Sequence, residues 1–66
     1  MKVQFDEKAD AVYLRLDDSE IVVSEEVQPS VILDFNERND VVGIEILGVK
    51  RRVSLEGLRK MQFEVV

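Results

Sequence analysis

Four side chains in this sequence have types and spacings that bring chemistry to mind: Tyr13, Arg15, Asp34 and Glu45. Each sits between apolar neighbours in a run that alternates apolar and polar residues, so each points away from the apolar side of a strand. If 31–35 and 41–47 pair as an antiparallel hairpin, Asp34 falls opposite Gly43 and diagonal to Glu45, and two carboxylates share one face. Tyr13 and Arg15 join them if the strand over 11–16 lies alongside. A carboxylate pair of this kind suits acid/base work or a hard cation such as Mg²⁺ or Ca²⁺, which takes oxygen ligands. The plainer arrangement is an Arg15–carboxylate salt bridge on a half-exposed sheet face, and we prefer it because two carboxylates without a ligand-dense loop rarely hold a metal. Gly43 then leaves room for Tyr13 or Asp34 to approach the backbone.

The rest of the chain offers little chemistry. It has no histidine and no cysteine, so it lacks a thiol nucleophile, an imidazole base and any nitrogen- or sulfur-rich metal site. The acidic stretch Asp17-Asp18-Ser19-Glu20, with Glu25-Glu26 nearby, lacks the glycine and closing glutamate of a calcium loop and reads as a solvated connection. Gly43, Gly48 and Gly57 are isolated, so there is no phosphate-cradling loop. Ser19, Ser24, Ser30 and Ser54 fall where strand ends or a helix cap would want them. We therefore expect no catalytic residue, no cofactor and no bound metal, hence no enzyme.

The elements that must position the four residues are mostly strands. The expected fold class is α+β, mainly β, in one domain of 66 residues: an antiparallel sheet of two similar hairpins plus a connecting strand, then a short C-terminal helix. The first hairpin pairs 2–5 with 11–16 across a turn at 6–10, with Val3 and Phe5 on the same side as Val12, Leu14 and Leu16. Residues 21–27 form the connecting strand, ended by Gln28-Pro29-Ser30, where proline cannot donate to a ladder. The second hairpin pairs 31–35 with 41–47, setting Val31, Leu33 and Phe35 against Val42, Ile44 and Ile46. After Gly48 the period changes: Leu55, Leu58 and Met61 recur at three, with Ser54 as N-cap and Glu56 in the first turn. This predicts a helix over 54–61 that depends on docking its apolar stripe, because Gly57 costs about 1 kcal/mol inside a helix. Residues 62–66 alternate again and are read as a last edge strand, open to a second chain.

Laying 3–16 over 33–46 reveals a repeat at a constant offset of thirty. Phe5/Phe35, Glu7/Glu37, Asp10/Asp40 and Val12/Val42 are identical, and six further positions are conservative. Duplication of a binding hairpin would explain this, and so would convergence of two hairpins that bury one face; we favour convergence. The copies differ at Gln4/Asp34, Tyr13/Gly43 and Arg15/Glu45, all on the side opposite the Phe-Val stripe.

Charge divides the chain as clearly as periodicity does. Residues 1–49 hold 12 acidic and 4 basic side chains, net −8, whereas residues 50–66 hold 5 basic and 2 acidic, net +3. Lys50, Arg51 and Arg52 with Arg59 and Lys60 have too little interleaved aromatic character for a nucleic-acid surface. They suit docking on the acidic sheet, in cis or across a dimer, while the acidic sheet suits a basic protein partner. So small a domain gains from association, and Lys50, Arg51, Arg52, Phe63 and Val65 are the candidate interface of a homo-oligomer, most simply a dimer. No apolar run reaches the length of a membrane span or signal-peptide core, and the cysteine-free composition points to a cytoplasmic protein.

Several of these residues recur together in one family. The pattern Phe5-Asp6-x-x-x-Asp10-Ala11-x-Tyr13-x-Arg15-Leu16, followed by Glu26-Val27, Val31-Ile32-Leu33-Asp34-Phe35 and Val42-Gly43-Ile44-Glu45-Ile46-Leu47, resembles a short prokaryotic family known as domain of unknown function number 2283. The resemblance spans about residues 1–50. It departs from the family at the second turn, where Asn39-Asp40 replaces the usual glycine; asparagine tolerates the left-handed conformation, so the turn need not change. The resemblance implies a small stand-alone protein without an assigned activity, in some members similar to the antitoxin-like half of a two-gene module. The function expected is thus a protein–protein interaction module whose acidic face meets a basic partner. Its alternative is a small ligand- or divalent-cation-binding module centred on Asp34 and Glu45.

Overall fold

Alternation of β-branched and polar residues drives the chain into strands, and the computed structural model, which describes residues 1–66, contains five of them. They are β1 (Lys2–Asp6), β2 (Ala11–Arg15), β3 (Val23–Gln28), β4 (Val31–Phe35) and β5 (Val41–Leu47). A 3-10 turn (Val49–Arg51) and a short helix α1 (Leu55–Arg59) follow. All five strands pair antiparallel in one open sheet of order β1-β2-β5-β4-β3. The two hairpins meet at the centre, where β2 lies beside β5, and β3 folds back onto the outside of β4. The fold is mainly β with a small helical part, as the patterning implies.

The hairpins share their turn chemistry. Asp6 Oδ1 accepts from the backbone N–H of Lys8 (3.0 Å) and Ala9 (3.1 Å), and Asn36 Oδ1 accepts from those of Arg38 and Asp40 (both 3.0 Å). These are the side-chain-to-backbone bonds that make Asp and Asn turn formers. The left-handed residue differs, however: Asp10 in the first turn (φ 54°) and Asn39 in the second (φ 64°). In β1–β2 Phe5 faces Val12, but a register shift in β4–β5 sets Phe35 against Val41 instead of Val42. Two residues of β5 oppose one of β4, a bulge that the repeat does not disclose. Val31 still faces Ile46, and Leu33 still faces Ile44.

Two expectations need correction. The connecting strand starts at Val23, two residues later than the sequence suggests, because 17–22 are spent crossing from β2 to the outer side of β4. Residues 62–66 form no strand, since a strand exists only as a ladder and neither sheet edge takes them up; Phe63 and Val65 stay 77% and 86% exposed. The helix is shorter than 54–61 but is capped as expected, with Ser54 Oγ accepting from Gly57 N–H at 3.0 Å. Lys60 Nζ bonds Glu56 Oε1 at 2.9 Å one turn away. Leu55 and Leu58 are half-buried, whereas Met61 is exposed, so only part of the predicted stripe is covered.

The register sorts the side chains onto two faces. One carries Val3, Phe5, Val12, Leu14, Leu33, Phe35, Ile44 and Ile46; the other carries Gln4, Ala11, Tyr13, Arg15, Asp34, Gly43 and Glu45. On the apolar face only Val42 is fully buried, and Val3 and Val23 are about half exposed. Helix α1 does not close over that face. In the whole chain the buried apolar side chains are Ala11, Val42 and Val49.

Candidate functional site

The polar face assembles because β2 and β5 are neighbours. Their register places Tyr13 against Glu45 and Arg15 against Gly43, while β4 brings Asp34 against the other side of Gly43 and β3 adds Ser24 beyond Asp34. All four sequence candidates therefore share one face. Asp34 is its centre, a buried carboxylate at 8% exposure. Tyr13 Oη donates to Asp34 Oδ2 at 2.9 Å, and Ser24 Oγ donates to Asp34 Oδ1 at 2.6 Å. Both oxygens are thus partnered, which is what a carboxylate needs to leave water.

Gly43 makes this approach physically available. A Cβ at position 43 would lie 2.5 Å from Tyr13 Oη and 2.7 Å from Asp34 Oδ2. The glycine is a window through the central strand, across which a tyrosine of one hairpin reaches a carboxylate of the other. Partial burial, and then the bond to Asp34, push the Tyr13 phenol above its usual pKa, with the Arg15 guanidinium pulling weakly the other way.

Arg15 does not form the expected salt bridge. Its Nε donates to the carbonyl of Asp17 and its Nη2 to that of Ser19, both at 2.5 Å, so it ties down the β2–β3 connection and not a carboxylate. A short tether to carbonyls two and four residues ahead wins over a cross-strand carboxylate already held by two hydroxyls. In the same connection the Ser19 hydroxyl and backbone N–H hold the exposed Asp17 carboxyl below its usual pKa. Buried Asn36 donates from Nδ2 to Ser19 Oγ at 3.1 Å, joining this connection to the β4–β5 turn.

Glu45 is half-buried and takes no part in these bonds. It edges a shallow depression, open to solvent, shared with Gln4, Asp6, Ala11, Tyr13 and Asp34. No three or more carboxylates converge there or elsewhere with the geometry to hold an ion. Ser24 is the member that sequence reasoning missed. The irregular pattern of 21–27 hides its register against β4, and only pairing with Asp34 reveals its role.

The candidate interface residues sit apart from this cluster. Lys50 and Arg51 lie in the 3-10 turn and Arg52 follows it, all exposed, with no ion pair to the strands. Backbone bonds anchor the start of the segment: Val49 N–H to the Asp10 carbonyl at 3.2 Å, and Lys50 N–H to Asp10 Oδ1 at 3.0 Å. No helix is long and apolar enough to cross a membrane.

The family model described as "Protein of unknown function (DUF2283)" matches residues 2–50 of the chain. Those residues include all five strands and the whole polar cluster but exclude α1 and the tail. No curated protein and no solved structure matches the chain.

Proposed function

The chain belongs to that family, whose description names no activity, and from the chain's own surfaces we propose a small protein–protein interaction module whose contact surface is the apolar face of its sheet. The observation that carries this reading is that face itself. Leu14, Leu33, Ile44 and Ile46 lie on the inner strands, yet none is fully buried. An apolar face left open on a small domain marks an association site. The polar face supports the same reading from the other side, because the carboxylate of Asp34 is fully engaged by hydroxyls and serves the fold.

Analytical ultracentrifugation tests the reading. The wild-type chain is expected to run as a species heavier than 7.6 kDa, alone or with a captured partner. Leu14→Asp or Ile44→Asp should return it to the monomer mass with its far-ultraviolet dichroism retained, while Glu45→Gln on the opposite face should change nothing. A monomeric wild type that also binds no protein in a native extract sinks the proposal. The depression beside Tyr13 and Glu45 favours the second reading, a small-ligand or divalent-cation module. It requires that Mg²⁺, Ca²⁺ or a co-purifying metabolite raise the Tm of wild type and not of Glu45→Gln.

A further inference from the structure

We propose that the occupant of the apolar face is a second copy of this chain, packed face to face with its strands running antiparallel. The basic segment after β5 of each copy then lies over the acidic end of the other. This rests on the association reading above and names the partner and its orientation.

Area argues for an occupant of this size. The chain exposes 5228 Å², whereas a folded monomer of 7.6 kDa is expected to expose about 4300 Å². The surplus of about 900 Å² is shared between the exposed tail, with Phe63 and Val65 foremost, and the open sheet face, and together they are of the order of the roughly 800 Å² each partner contributes to a standard interface. The β3 edge is a poor alternative. Edge strand β3 carries Glu25 and Glu26 and a register shift between Glu26 and Gln28, devices that discourage edge-to-edge pairing. An apolar sheet face, by contrast, packs readily on its own copy, as in two-layer sandwiches.

Charge decides the orientation. The strand directions place the β1–β2 turn, the β3–β4 turn and the exit of β5 at one end of the sheet. The β2–β3 connection and the β4–β5 turn lie at the other end. That second end holds Asp17, Asp18, Glu20, Glu37 and Asp40 around β2, β4 and β5, offset by Arg15 and by Arg38, which is paired to Asp40 at 3.6 Å, while the N-terminal amine and Lys2 lie at its β1 edge. The first end carries Asp6, Glu7, Lys8 and Asp10 in the β1–β2 turn, which an antiparallel copy sets over the partner's Lys2 edge, and releases the basic segment, held there by the two bonds to Asp10, with Lys50, Arg51 and Arg52 exposed. A two-fold axis running between the sheets and across the strands keeps β5 over β5 but reverses strand direction. It brings each basic segment to an acidic end, twice per dimer. The other face-to-face two-fold, along the strands, sets acidic end on acidic end, and like-charge juxtaposition of that kind is costly.

The cysteine-free chain makes the test clean, because a single introduced cysteine carries a single spin label. Asp18→Cys marks the acidic end and Lys50→Cys the basic end. In labelled dimers, pulsed dipolar spectroscopy should give long distances for Asp18–Asp18 and for Lys50–Lys50. Mixed dimers carrying one label of each kind should give a shorter distance than either. Charge reversal gives an independent arm. The triple variant Asp18→Lys, Glu20→Lys, Glu37→Lys should weaken the dimer about tenfold or more at low salt, and Lys50→Glu, Arg52→Glu, Arg59→Glu should do the same. Combining both sets in one chain should restore it. A dimer with a short Asp18–Asp18 distance, or one indifferent to both reversals, overturns the orientation and leaves the apolar-face reading standing. A monomeric wild type overturns this proposal, and one that also binds no protein in a native extract overturns the apolar-face reading with it.

Discussion

The two faces of this sheet solve the problem of burial in opposite ways. On the polar face a single carboxylate, Asp34, is removed from water by two hydroxyl donors and a glycine that lets them approach. On the apolar face many side chains line up in register, and only Val42 leaves water completely. A carboxylate needs a few partners at set distances, which 66 residues can supply. Apolar burial needs a second layer, which they do not. The polar face therefore completes itself within one chain, whereas the apolar face stays partly open to solvent.

Four experiments break or sharpen that contrast. Gly43→Ala should be the most disruptive, about 2–3 kcal/mol in urea unfolding, because the new methyl group must displace Tyr13 or Asp34. This loss should be the same at every protein concentration. Leu14→Asp should behave differently: its cost depends on concentration, and for a wild type held at a hundredfold excess over its Kd it removes about 2.7 kcal/mol. The check is a Tm that rises with wild-type concentration and stays flat in the variant. If Gly43→Ala were the concentration-dependent one, the division between faces would be wrong. Asp34→Asn should cost about 1–2 kcal/mol, since an amide retains one acceptor and offers Tyr13 or Ser24 the wrong group. Tyr13→Phe should be the mildest at neutral pH, about 1 kcal/mol.

Tyr13 also gives the polar face a pH signature. Its folded-state pKa lies above the ordinary 10.0, first because of burial and then because of the bond to Asp34. A raised pKa means that the native state favours the neutral phenol. The associated stability is complete below pH 10.0 and is lost as the pH rises through the folded-state value. The chain has one tyrosine, so phenolate absorbance reports this residue alone. Tyr13→Phe should abolish the alkaline loss, and a phenolate titration with its midpoint at or below pH 10.0 would contradict the burial of the phenol together with its bond to Asp34.

Much of the fold was legible because alternation and turn chemistry are local. The bounds of β4 and β5, the Ser54 cap, the turn-forming Asp6 and Asn36 and the left-handed Asn39 all follow from residues within a few positions of one another. Asp34 opposite Gly43 was legible for the same reason, since a short turn fixes its own register. What escaped notice depends on distant neighbours. The bulge at Val41 and Val42, the start of β3 and the role of Ser24 all come from how β3 and β5 meet β4. The Arg15 salt bridge failed for a related reason: periodicity places a side chain on a face but cannot choose among the acceptors it finds there.

By itself the sequence determined that this chain would be a cysteine- and histidine-free antiparallel sheet with one apolar and one polar face, and that a basic segment would follow an acidic one. Composition, period and turn residues act over a few positions and set the strands of each hairpin, though not the bulge at Val41 and Val42. Tertiary structure alone decided that β2 would lie beside β5, and this adjacency brings Tyr13 to Asp34 across Gly43. It also decided that the acidic β2–β3 connection and the basic segment occupy opposite ends of the sheet. The physical reason is that strand pairing between hairpins is a long-range choice, which residues a few positions apart do not encode.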